Sequence, residues 1–368
     1  MKKIFSVCIG IAAAMAIQGA SAHWPEQPQH QIADLGELKL EKGGLIKNLK
    51  MSYVTHGKLN VAKDNAILFI HGFAANHHLF DQMIGPGKAL DTDKYFIICP
   101  DALGATQTGH EHSTSASNSG MKMKFPQYNG RDMNKAQHKL LTEKLGISHL
   151  RMVTGISSGA EHSVQFAISY PDFMDSIVPV VGGALWNSQG FFRGPLMMSI
   201  IESCDGWRGG DFDVNPKACA TNAVSVLAPT FYSREWWDLY IDTPEAYDRW
   251  RKNWGAFYFD VQDARDLYYR IRSWGEGWVG DTPGFKDLNA ALGSIKAKTL
   301  FIYSPQDQFY TPQQIATQVK VIPGARSAAI DSPAGHLICC NGDLNATYTM
   351  GEALKAFLSE IDTQKAKK

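Results

Sequence analysis

A serine hydroxyl is a poor nucleophile at neutral pH unless a base lies within hydrogen-bond reach and an acid fixes the tautomer of that base. The stretch Arg151-Met152-Val153-Thr154-Gly155-Ile156-Ser157-Ser158-Gly159-Ala160-Glu161 offers such a serine. It reads as a short apolar strand, a G-x-S-x-G turn and the start of a helix, a context that lifts Ser157 above the end of a sheet. Gly155 and Gly159 flank the serine, where side chains would collide with the neighbouring strand and helix. The Ser158 N–H, at the helix start, then becomes one donor to an oxyanion. The motif alone is weak, because Gly-Ser loops match it by chance.

The rest of the chain strengthens it. Of twelve histidines, only His336 follows His162. It sits in the loop Ser332-Pro333-Ala334-Gly335-His336 after a short final strand, where a base belongs when the chain order is serine, acid, histidine. Asp307 follows the apolar strand Lys298–Ser304 directly and is the favoured acid. Asp331 also ends a strand, five residues before His336, and is the alternative. Ala66-Ile67-Leu68-Phe69-Ile70 reads as a strand buried on both faces. It runs into His71-Gly72-Phe73, an H-G-x loop that assigns the second oxyanion donor to the Phe73 backbone N–H. These groups support acyl transfer: Ser157 attacks an ester-like carbonyl, His336 takes its proton, and water or another hydroxyl later releases the acyl group.

The elements that must hold these residues alternate. Apolar strands are expected near 66–70, 95–99, 151–154, 176–181, 298–304 and 327–331, and helices near 131–145, 158–170, 311–321 and 345–361. That alternation predicts an α/β fold with a mostly parallel sheet and helices on both faces. A hairpin around Gly43-Gly44 precedes it, and residues 23–35 read as an extended polar arm. Residues 102–129, rich in Gly, Ser, Thr and Asn, read as a long loop. Between Ala184 and Phe285 lie eight of the nine tryptophans: Trp186, Trp207, Trp236, Trp237, Trp250, Trp254, Trp274 and Trp278. This segment is expected to be a mostly helical cap, most of its aromatics forming its own core and some roofing the nucleophile. The expected division is therefore a leader at 1–22, core at 23–183, cap at 184–285 and core again at 286–368.

Met1-Lys2-Lys3, the apolar run Ile4–Ile17 and Ala20-Ser21-Ala22 read as a signal peptide cut after Ala22. A periplasmic or secreted location follows, and no later stretch is long and apolar enough to span a bilayer. Export permits disulfides, and Cys204 and Cys219 bracket a Gly/Asp/Pro-rich loop that favours their pairing. Cys99 reads as a buried thiol. Lys and Arg total 36 against 36 Asp and Glu, with no basic patch, which argues against nucleic acid. The pairs His77-His78 and His110/His112 lack a third ligand nearby in sequence, so they are read as solvated rather than as metal sites. Neither metal nor cofactor is expected, and the expected partner is a small-molecule acyl ester.

With these residues placed, the chain resembles the α/β-hydrolase superfamily, and within it the homoserine O-acetyltransferase branch. Gly85–Phe96, Phe125, Arg131-Asp132-Met133 with Gln137, and Tyr170-Pro171-Asp172 carry that resemblance. It implies an eight-stranded α/β-hydrolase fold, a triad of Ser157, Asp307 and His336, a capped core and a homodimer. The branch carries a G-G-S-M-G-G type of elbow and an aspartate after the catalytic histidine; this chain has Gly155-Ile156-Ser157-Ser158-Gly159-Ala160 and Leu337. Three readings follow: an exported serine hydrolase, an O-acyltransferase, or a non-catalytic binding protein on a hydrolase fold.

Overall fold

The computed structural model describes residues 30–73, 75–104, 112–184, 188–258, 262–276, 279–340 and 342–366. The expected signal peptide lies outside them, as do His110, Trp186 and Trp278. Eight strands make one sheet: β1 Gln31–Lys39, β2 Leu45–His56, β3 Ala66–Ile70, β4 Phe96–Pro100, β5 Leu150–Ile156, β6 Met174–Val180, β7 Lys298–Tyr303 and β8 Arg326–Ala329. Their spatial order is β1-β2-β4-β3-β5-β6-β7-β8. The pairings β1–β2 and β2–β4 are antiparallel, and the other five are parallel. This is the expected α/β-hydrolase architecture.

The central strands read as continuous apolar runs because both of their faces are covered. All five residues of β3 and all seven of β5 are buried. Alternate β3 residues enter different cores: Ala66, Leu68 and Ile70 join one cluster, Ile67 and Phe69 the other. That is the period-two geometry of a strand sandwiched between helical layers. Helix α1, Gly130–Lys139, starts at an Asn129–Asp132 capping box. The expected helix over 131–145 continues past it as a single π turn, Leu140–Lys144. Helix α2, Ser158–Ser169, follows β5.

Between β6 and β7 the regular structure is helical. It comprises α3 Ser188–Glu202, α4 Lys217–Ser225, α5 Ala228–Phe231, α6 Arg234–Tyr240, α7 Pro244–Tyr258, α8 Ala264–Gly275 and α9 Leu288–Gly293. Its aromatics largely pack on one another. Tyr232 stacks on Trp236 at 3.7 Å between ring centres, and Trp237 meets Trp250 edge-on at 4.9 Å. Helix α10, Pro312–Val321, leads into β8, and α11, Leu344–Ala366, closes the described chain.

One expectation needs correcting. Residues 31–35 are no free arm: they form the first half of β1, paired with Lys50–Tyr53. An irregularity in register around Gly36 breaks the alternation that would have shown one continuous strand. The described part of the expected 102–129 loop packs against the sheet. Ser113, Thr114 and Ser115 are buried, and Thr114 exchanges hydrogen bonds with Lys50 of β2: its N–H donates to the Lys50 carbonyl, and its Oγ1 accepts from Lys50 N–H. Polar residues build this contact, so no apolar pattern announced it.

Candidate active site

Ser157 occupies the turn between β5 and α2 with φ 57° and ψ −117°. A non-glycine residue held there costs on the order of 1–3 kcal/mol. The surroundings fix it: its N–H donates to the Val180 carbonyl at 2.9 Å, and its own carbonyl accepts from Ala160 N–H at 2.9 Å. The flanking glycines follow from contact distances. A Cβ on Gly155 would lie 2.2 Å from the Gly159 carbonyl oxygen, and one on Gly159 would lie 2.1 Å from that of Ile70. Helix and strand approach so closely that no side chain fits between them.

The structure brings together the three residues singled out for the triad. His336 Nε2 lies 2.9 Å from Ser157 Oγ, and His336 Nδ1 lies 2.9 Å from Asp307 Oδ2. Both His336 and Asp307 are buried. Asp307 Oδ1 accepts from Phe309 N–H at 2.7 Å and Tyr310 N–H at 3.0 Å, so the carboxylate cannot rotate without breaking two bonds. An ionised carboxylate only accepts. Nδ1 of His336 therefore carries the proton, and Nε2 is left as an acceptor facing Ser157 Oγ. The rival acid Asp331 is exposed, and its Oδ1 accepts from Gln306 Nε2. Phe231, Phe309 and Tyr310 surround the His336 ring at 4.9, 5.0 and 5.8 Å between centres.

Phe73 and Ser158, singled out as oxyanion donors, line one cavity of about 40 Å³ with Glu161, Arg270 and Trp274. The peptide unit that presents Phe73 N–H is clamped through its carbonyl. Gly72 O accepts from His71 Nδ1–H at 2.7 Å, from Ala75 N–H at 3.2 Å and from Arg270 at 3.3 Å. In a planar trans peptide, C=O and N–H point in opposite directions, so holding the Gly72 carbonyl aims the Phe73 N–H. His71 Nε2 accepts from Ala102 N–H at 2.9 Å, which keeps the ring neutral. Burial, aided by the Arg270 charge, lowers the His71 pKa to about 4. Burial also lowers that of the Arg270 guanidinium.

Sequence reasoning gave no role to His71, Glu161 or Arg270. Arg270 lies on α8, 198 residues from Gly72, and nothing local links them. Glu161 follows Ser157 by one helical turn. Its carboxylate accepts from Tyr310 Oη and, at 3.0 Å, from Trp274 Nε1, tying α2 both to the Asp307 loop and to α8. Cys204 and Cys219 are joined as a disulfide within the helical segment, and Cys99 is a buried thiol. Among the described residues, no helix is long and apolar enough to cross a membrane.

A family model described as the alpha/beta hydrolase fold matches residues 65–343. The chain belongs to the α/β-hydrolase family. This α/β hydrolase is 30% identical over 340 residues to a probable esterase of Corynebacterium glutamicum, covering 89% of this chain and 95% of the relative. It is 34% identical over 361 residues to a homoserine O-acetyltransferase of Symbiobacterium thermophilum, covering 89% and 93%. The solved structure of the acetyl esterase MekB superposes with a TM-score of 0.82 at 28% identity, covering 90% of this chain and 97% of that one. The α/β hydrolase thus sits in the homoserine O-acetyltransferase-like branch and is a hydrolase or acyltransferase.

Proposed function

We propose that this enzyme is an exported serine esterase that cleaves a small acyl ester through an acyl-serine intermediate. The observation that carries the reading is the unbroken hydrogen-bond chain from Ser157 Oγ through His336 to Asp307 at a strained turn. In this mechanism His336 Nε2 takes the Ser157 proton as Oγ attacks the carbonyl. The Phe73 and Ser158 N–H groups hold the developing oxyanion. His336 then protonates the leaving alcohol, takes a proton from the attacking water and returns it to Ser157 Oγ as the acyl-serine hydrolyses. Asp307 steadies the imidazolium at each step.

A small acyl group is the reading favoured for the substrate. An acetyl esterase of similar structure fits that reading. Leu337, beside the base, packs in an apolar cluster with Phe73, Met197, Phe309 and Tyr310. No carboxylate stands at that position to meet an amino group on an acceptor, which favours water over an amino-alcohol. Export is supported by the leader-like residues 1–22 and by the Cys204–Cys219 disulfide, a bond that persists in oxidising compartments.

The test is to incubate the protein and its Ser157→Ala form with a fluorophosphonate and with p-nitrophenyl acetate. Labelling and turnover are expected only with Ser157 present, and their absence from the unmodified protein refutes the proposal. Adding alcohol acceptors and looking for acylated products separates hydrolysis from transfer. Recovery of the chain from a periplasmic or culture fraction, shortened to start at His23, tests export.

A further inference from the structure

Away from the triad, three histidines distant in sequence or adjacent by chance of turn converge on one point. His30 immediately precedes β1, and His77 and His78 lie in the loop after β3. One ring nitrogen from each lies within 4.8 Å of the others. His77 Nε2 and His78 Nε2 are 3.0 Å apart, and His30 Nε2 contacts His77 Nε2. The other nitrogen of each loop histidine faces a carboxylate: His77 Nδ1 is 2.8 Å from Asp101 Oδ1, and His78 Nδ1 is 2.7 Å from Asp81 Oδ2.

These contacts fix the protons. A carboxylate accepts and does not donate, so Nδ1 of both His77 and His78 carries the ring proton. The Nε2 atoms of His77 and His78 then face each other with His30 Nε2 beside them, a three-nitrogen arrangement that one metal cation can bridge. A carboxylate behind a metal-binding imidazole is also the usual arrangement for fixing its tautomer and raising its basicity.

We propose that His30, His77 and His78 form a three-histidine site for a divalent transition cation, with zinc as the reference ion. Neutral imidazoles select zinc and its neighbours over magnesium or calcium, which require oxygen ligands. Tetrahedral zinc with Zn–N bonds of about 2.1 Å places its nitrogen ligands ~3.4 Å apart, a spacing that this cluster reaches with small ring rotations. The fourth position is left to water. The ion links the residue ahead of β1 to a loop 47 residues later. That loop begins at His71-Gly72-Phe73, so the site braces the segment that presents the oxyanion donor. The role inferred is structural, because neither His336 nor Ser157 belongs to the cluster. The sequence hid the site because His30 lies far upstream, in what read as a polar arm.

The experiment uses untagged protein stripped with a chelator, then titrated with ZnCl2 and CoCl2. One equivalent of metal is expected to bind, with the visible d–d absorption of four-coordinate cobalt and a rise in thermal midpoint. His30→Ala sits at the edge of β1 and is expected to fold, to lose affinity by at least ~100-fold and to lose the metal-dependent rise in midpoint. Asp81→Asn keeps all three ligands and is expected to weaken binding by roughly 10–100-fold. No stoichiometric binding by the unmodified protein overturns the proposal and indicates a proton-bridged histidine cluster instead. Equal affinity in the unmodified and His30→Ala proteins also overturns it. Fluorophosphonate labelling of Ser157 in the stripped protein is read separately, so failure of the metal site does not bear on the esterase.

Discussion

Replacing Asp307 with asparagine probes the hydrogen-bond chain with almost no change in volume. Oδ1 of the native carboxylate holds two backbone N–H groups, from Phe309 and Tyr310, and Oδ2 faces His336 Nδ1. Asparagine has one accepting oxygen and one donating nitrogen. With the oxygen kept on the two N–H groups, the new NH2 faces His336 Nδ1 and can only donate. Nδ1 must then accept, the ring proton moves to Nε2, and the nitrogen facing Ser157 no longer takes a proton. The opposite rotamer sets NH2 against two N–H donors, leaving buried groups unsatisfied at about 1–3 kcal/mol each, so the first is preferred. A base in the wrong tautomer is expected to lower kcat by about 10⁴-fold, equivalent to ~5.5 kcal/mol of transition-state stabilisation. Urea unfolding should change by little, since the two backbone bonds survive. The assay is kcat on p-nitrophenyl acetate together with the rate of fluorophosphonate labelling. Asp331→Asn, at an exposed carboxylate bound only by Gln306 among the described contacts, serves as the control and should retain native kcat. If Asp307→Asn keeps kcat within tenfold of native, or Asp331→Asn shows the large loss, the assignment of the acid is wrong.

Two further outcomes follow from the same geometry. The Cys204–Cys219 bridge closes a 15-residue separation, so a Cys204→Ala/Cys219→Ala protein should lose about 3 kcal/mol in the unfolding unit that contains the helical segment; thermal scans with and without reductant should show native and variant proteins converging once the bond is reduced. His71 is neutral when folded, with a pKa near 4 against 6.5 unfolded, so the unfolded chain binds the extra proton and stability falls as pH drops from about 6.5 to 4. The loss attributable to this ring is about 3 kcal/mol, and urea midpoints at pH 7, 6, 5 and 4 should fall less steeply in His71→Gln; parallel curves for the two proteins would rule out His71 as the cause.

Much of the site is legible in the sequence because its backbone is unusual and its partners follow sequence order. Gly155 and Gly159 mark a turn that admits no side chain, β3 and β5 announce themselves as unbroken apolar runs, and His336 has no downstream competitor. What stays hidden depends on three-dimensional convergence of polar groups. Arg270 reaches the Gly72 carbonyl from α8, Thr114 pairs with Lys50, and His30 meets His77 across 47 residues. None of these leaves a periodic pattern, since each is one polar atom meeting one other. Glu161 lies one helical turn past Ser157, yet its hydrogen bonds run to Tyr310 and Trp274, both remote in sequence. The first half of β1 was obscured differently: a break in register at Gly36 disguised one strand as an arm and a hairpin limb.

The backbone of Ser157 sets chemistry and folding against each other. Its φ of 57° is a conformation that glycine adopts freely and serine does not. The fold alone would therefore favour glycine at the position where the proposed acyl-serine reaction requires a hydroxyl. Selection for stability and selection for turnover pull this residue in opposite directions, and the helical and strand packing around it must supply the difference. A lineage released from the need for catalysis would drift first at this turn, gaining robustness as it lost its reaction while the surrounding sheet stayed unchanged.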